Sequence, residues 1–310
     1  MKRIIYYMFA FVLSLGVFSS CTDDDALDTS EPIFGLGGDE YEMTELDLWI
    51  QEEFTKPYNI AVKYRWNPWE VDLTSTIVPV KEELVQPVME LIRDVWIEPY
   101  KSQKGLDFIK QYAPKNYVLV GSPRYNTNGT ITLGEAEGGN RITIYRVNWW
   151  DPTNHTNTDY GFENLVPRIL KTIHHEFTHT LNQIVRYPES FMGIAPYESA
   201  WTNVSDAAAR DKGYISPYAS DSPGEDFAEM VSMILVYGRD WFNARVAAAD
   251  NTVKLAGKEI TARQALQQKE TIVINYLHDV WDIDLYTVSP DRPGMHELVQ
   301  TALKEYMDNI

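Results

Sequence analysis

The chain has 310 residues, with 44% hydrophobic and 13% aromatic side chains, enough apolar surface for a large packed domain and too much for a disordered chain. Its formal charge is -18 and no cluster of Lys and Arg stands out, which excludes a nucleic-acid-binding protein, since phosphates are held by concentrated basic charge. With a single cysteine, no disulfide can form within the chain.

Met1-Lys2-Arg3 gives a short positive start, Ile4 to Phe18 an apolar run, and Ser19-Ser20-Cys21 follows. The run is too short and wrongly flanked for a spanning helix, so residues 1–20 read as an export signal. Cys21 stands where a bacterial lipoprotein signal peptidase cuts, after a stretch that resembles a lipobox except at Phe18. Cys21 is therefore the expected lipidation site, and residues 21–40 the expected flexible tether. The tether opens with Thr22-Asp23-Asp24-Asp25, an acidic run similar to the surface-export signal of lipoproteins in some Gram-negative bacteria. That places the expected localisation at the outer membrane, on the cell surface.

Residues 41–310 are expected to form the globular part, an α+β lobe over 41–160 and a mostly helical lobe over 161–310. Thr44 can cap a helix to about Thr55, with Leu46, Trp49, Ile50 and Phe54 on one face. Ile60 to Trp66 alternates as a strand does, and Lys81 to Tyr100 reads as a long amphipathic helix that Pro87 is expected to kink. Tyr117 to Val120 and Ile142 to Val147 are further strands, the second after a Gly138-Gly139 turn. From Phe162 the period becomes helical, with Leu165, Ile169, Ile173, Phe177, Leu181 and Ile184 at intervals of three and four. More helices are expected at Glu225 to Tyr237, Trp241 to Ala249, Ala262 to His278 and Arg292 to Met307. The nine tryptophans are scattered, so core packing is their default role.

The chemistry concentrates in His175-Glu176-Phe177-Thr178-His179. Two histidines four apart project from one helix face, and zinc accepts neutral imidazole nitrogens at that spacing. Glu176 is turned about 100° from His175, so its carboxylate can reach a water beside the metal without becoming a ligand. His174 faces away. A catalytic zinc needs a third protein ligand, and no third histidine follows. Two glutamates compete. Glu198 follows His179 by nineteen residues but sits in Pro196-Tyr197-Glu198-Ser199 with no helix to hold it. Glu225 opens a clear helix behind Ser222 and Pro223, and is favoured, although Ser222-x-x-Glu225 is also a capping box. Glu229, one turn on, could accept the far N–H of His175 and so fix the tautomer of that ring.

His-Glu-Phe-Thr-His followed about forty-five residues later by Glu-Asp-Phe-Ala-Glu resembles the glutamate-type zincins, or gluzincins. With the leader, the chain resembles the substrate-import-associated zinc metallohydrolase lipoproteins, also described as zinc-binding metallopeptidases. The resemblance implies a zincin-like α+β fold around an active-site helix. It implies one Zn2+ held by His175, His179 and Glu225, with Glu176 as general base. It further implies that Tyr218, seven residues before the glutamate ligand, steadies the oxyanion, with Tyr214 or Tyr197 as alternatives. A substrate-lining edge strand is implied before the active helix, and Ile142 to Val147 is the candidate.

The expected function is a zinc peptidase acting on a peptide or protein substrate beside a TonB-dependent outer-membrane importer. The alternatives are a zinc-bearing accessory lipoprotein of an uptake complex with little hydrolysis, a hydrolase of non-peptide amides or esters, and a metal-free structural lipoprotein.

Overall fold

Periodicity becomes structure at α1 (Glu45–Ile50), which runs on through a π-helical stretch, Gln51–Thr55, into Lys56–Tyr58. Ile50 and Phe54 are buried, and Leu46 and Trp49 pack against the same core. This computed structural model describes residues 42–67, 76–125, 131–132, 134–137, 140–150, 162–198 and 200–309. The leader, Cys21, the tether and the Gly138-Gly139 turn lie outside the described residues.

β1 (Ala61–Lys63) is shorter than the alternation predicts. It finds a partner for three residues only, and Tyr64 and Arg65 then turn to bond Asp47 of α1. α2 (Glu82–Ile92) contains Pro87, and its ladder becomes π-helical over Arg93–Ile97 before the helix continues as Glu98–Lys104. Gly105, at φ 83, ends it and leads into α3 (Leu106–Tyr112).

The sheet follows. β2 (Asn116–Leu119) lies between β1 and β6 (Arg141–Ile144), parallel to both, and β5 (Gly134–Glu137) closes one edge antiparallel to β6. A strand with parallel neighbours on both sides is covered on both faces, which suits the buried Tyr117, Val118 and Leu119. β3 (Arg124–Tyr125) and β4 (Ile131–Thr132) form a small separate ladder. The strand expected over Ile142 to Val147 stops at Ile144, because Arg146 adopts a left-handed conformation (φ 69) and starts the 3-10 turn Val147–Trp149. It is also not an edge. β6 is paired on both sides, and among the described residues the edges of this sheet are β1 and β5; the Gly-Glu-Ala-Glu of β5 carries no apolar alternation to advertise it.

The remaining described chain is helical: α4 (Phe162–Ile184), α5 (Glu189–Met192), α6 (Asp206–Asp211), α7 (Pro223–Tyr237), α8 (Arg239–Ala248), α9 (Ala262–Trp281) and α10 (Met295–Asp308). The last begins three residues later than expected, since Pro293 and Gly294 precede it. The architecture is α+β, a small, mainly parallel sheet beside a mostly helical remainder. One apolar cluster runs from Ile50 to Val299, through residues of both parts. α4 packs against β5 and β6 on one side and along α7 on the other. Among the described residues no helix is long and apolar enough to cross a membrane.

Candidate metal centre

α4 is held by its aromatic face. Phe177 meets Trp96, Tyr100 and Phe108 edge to face, at ring separations of 5.3, 5.0 and 6.1 Å. His174 shares that side, fully buried, with Nδ1 3.4 Å from the Tyr100 hydroxyl. Burial drives its pKa down to about 3, so it packs as a neutral ring. With those side chains turned into the core, His175 and His179 emerge on a different face of the helix.

α7 supplies the carboxylates. Ser222 caps it, accepting from the Glu225 backbone N–H at 3.4 Å, with Pro223 in the first turn. The Glu225 carboxylate turns to the histidines. Its Oε2 lies 2.9 Å from His175 Nε2 and 3.2 Å from His179 Nε2, and the two Nε2 atoms are 3.0 Å apart. Donors about 2.0–2.1 Å from a tetrahedral zinc stand roughly 3.3 Å from one another. Three donors of the right chemistry, converging at nearly that spacing, fit one zinc ion with a position left open. Among the described residues this is the group of histidine and acidic side chains that could hold a metal.

Glu198 is elsewhere. Its carboxylate pairs with Lys212, about half exposed, and only its backbone N–H reaches Ser220 O, at 2.9 Å. Glu229 stands behind His175, with Oε1 2.9 Å from Nδ1. Lys171 pairs with the same oxygen, and Ser216 Oγ donates to Oε2 at 2.6 Å. Burial alone would raise the Glu229 pKa, but Lys171 and His175 hold it down to about 2, so it is an anion at any physiological pH. For His175 burial lowers the pKa, and the bonds to Glu225 and Glu229 outweigh it, raising the value to about 9. Nδ1 is turned to the Glu229 carboxylate, 2.9 Å away, which leaves Nε2 on the side of Glu225 and His179 for a metal, whose binding would displace a proton.

Glu176 is raised above the usual carboxylate range, first by burial and then by Glu225, while His175 and His179 pull the other way. It therefore lies in the electrostatic reach of the centre. Tyr218 stacks on His175, ring centroids 5.8 Å apart, with the Glu225 carboxylate near enough to act on its hydroxyl electrostatically. Burial and that carboxylate push its pKa far up, so it remains a donor. The alternatives are engaged in the core: Tyr214 donates to Pro196 O, and Tyr197 to Asp226 Oδ2 at 2.9 Å.

Two partners escaped the sequence. Lys171 lies one turn before His175 on the same face, a spacing that could have drawn attention to it. Ser216, in an irregular loop, gave no signal.

Two imidazoles a turn apart, closed by a glutamate from a later helix and flanked by a second glutamate, define a zincin-type centre. The family described as "Putative zinc-binding metallo-peptidase" matches residues 39–286, and the chain belongs to that family. A crystal structure from Bacteroides caccae ATCC 43185 at 2.10 Å resolution, of a protein described in the same words, is similar, with a TM-score of 0.65 and 29% identity. The match covers 87% of this chain and 97% of that one. No curated protein matches this chain.

Proposed function

We propose that the mature chain is a zinc peptidase held at the outer membrane by a lipid on Cys21, with Glu176 as general base. The observation that carries this is the convergence of His175 Nε2, His179 Nε2 and Glu225 Oε2 within 3.2 Å of one another, with Glu176 beside them. Zinc bound there would lower the pKa of a water and polarise the scissile carbonyl. Glu176, its basicity raised by burial, takes the proton of the attacking water and delivers it to the leaving amine. Tyr218, whose ring stacks on His175, would donate its hydroxyl proton to the developing oxyanion. Glu229 fixes the His175 tautomer, and Lys171 and Ser216 hold Glu229.

The test is metal analysis together with a peptide-cleavage screen of the purified mature protein. One zinc per chain is expected, and Glu176→Gln should keep it while losing roughly 10^3-fold in kcat/KM. Full turnover in that variant overturns the mechanism. A zinc-loaded protein that cleaves no peptide or protein instead favours an accessory component that binds without hydrolysing.

The envelope assignment rests on the leader, the position of Cys21 and the acidic run after it. Association with a TonB-dependent importer rests on the family resemblance. Cys21→Ala should abolish labelling by radioactive palmitate and leave the protein unprocessed in cell fractions, whereas undiminished labelling defeats the anchor.

A further inference from the structure

We propose that Trp201 walls a substrate subsite beside the metal centre and selects an aromatic or large aliphatic side chain next to the scissile bond. This rests on the peptidase reading above.

Most described tryptophans are accounted for by the core. Trp96, Trp150 and Trp281 are buried, and the half-buried Trp49 and Trp241 pack against the main apolar cluster. Trp201 is half-buried yet belongs neither to that cluster nor to the side chains packed on it. It sits on the short 3-10 turn Trp201–Asn203, between exposed Ala200 and Thr202. Its ring partner is Tyr218, edge to face at 5.0 Å, and Tyr218 in turn stacks on His175. The loop is tied in place by the Glu198 N–H, which donates to Ser220 O at 2.9 Å.

An aromatic wall thus leads outward from a metal-binding imidazole. An extended peptide advances about 3.3 Å per residue, so ring steps of 5.0 and 5.8 Å keep Trp201 within roughly three residues of His175 at most, a gap that a large side chain standing off the residue beside the scissile bond can reach across. The Lys171 ammonium beside the wall is already committed to Glu229. What the wall offers a ligand is ring surface. An indole left partly in water gains by covering it with apolar atoms, and an aromatic guest adds ring-to-ring attraction.

The test uses the zinc-loaded mature protein and two peptidyl hydroxamates that differ only in carrying Phe or Ala beside the zinc-binding group, with affinity read by calorimetry. The Phe compound should bind about tenfold or more tighter, the discrimination a hydrophobic pocket gives. Trp201→Ala should remove most of that preference while leaving zinc content and affinity for the Ala compound unchanged, and Trp201→Phe should keep most of it. Equal affinities in the unaltered protein, a comparison that needs no variant, overturn the subsite alone. So does an undiminished preference in Trp201→Ala. Binding of neither compound overturns the metal-hydrolase reading and the subsite with it.

Discussion

α4 and α7 each place two neighbouring ionisable residues on different faces, and the two faces obey different rules. His175, itself buried, and the partly exposed Glu225 face the candidate metal centre, where their lone pairs are shared among groups that a cation can satisfy. His174 and Asp226 face the core. His174 stays neutral, and Asp226 meets Lys269 at 2.6 Å, both fully buried. Lys269 also donates to Gly213 O at 2.7 Å and lies 4.3 Å from the centre of the Tyr214 ring, while Tyr197 donates to Asp226. Burial raises the Asp226 pKa and lowers that of Lys269, with the partner opposing it in each case. The lesson is that charge on the outer side serves a ligand, and charge on the inner side pins the loop carrying Tyr197, Gly213 and Tyr214 to α7 and α9.

The sharpest way to break this comparison is to mutate the adjacent carboxylates separately. Glu225→Ala should empty the metal site and abolish turnover with little change in melting temperature, and Asp226→Ala should do the reverse, keeping the three donors while losing stability. Zinc content and thermal melts of the two variants decide it. If Asp226→Ala loses zinc at unchanged stability, the two sides are not distinct.

Next in size is the core pair itself. Lys269→Met strands a buried carboxylate and should cost about 3–5 kcal/mol, measured by denaturant unfolding. Adding Asp226→Leu should recover most of that loss, because two apolar side chains of similar volume need no counter-charge. A double variant no more stable than Lys269→Met would mean that the pair does more than neutralise itself.

The smallest effect tests His174. Its folded pKa of about 3 lies below the ordinary histidine value of 6.5. Between those values the unfolded chain binds a proton that the folded chain refuses, so stability falls as pH falls, by about 1.4 kcal/mol per unit. His174→Phe should flatten the stability profile by about one proton over that window. An unchanged slope would show that His174 is not the group responsible.

Much of the centre was legible because it is local. The four-residue spacing of His175 and His179 fixes their shared face through helix geometry alone, and the apolar period around them fixes which face turns inward. Ser222-Pro223 marks the start of α7 by cap and first-turn preferences. The choice of Glu225 over Glu198 came half from the sequence, as a preference for a helix-borne ligand. The structure supplied the rest by placing Glu198 against Lys212. Where strand pairing mattered the reading failed: the alternation of Ile142 to Val147 says that a strand exists but not how many neighbours it has. β5 is the edge beside β6 although nothing in Gly134–Glu137 alternates.

By itself, then, the sequence determined the α+β class, the helix that carries His175-Glu176-Phe177-Thr178-His179, two candidate metal donors on it and a candidate base, since these follow from backbone periodicity and residue chemistry within a few turns. Only the tertiary structure decided that Glu225 turns toward the histidines rather than back to its own cap, that Lys171 and Ser216 hold Glu229, that Asp226 finds Lys269, and that Trp201 stands outside the core. Those outcomes depend on which distant segments pack together, and that is set by the burial of the whole apolar cluster, which no local spacing encodes.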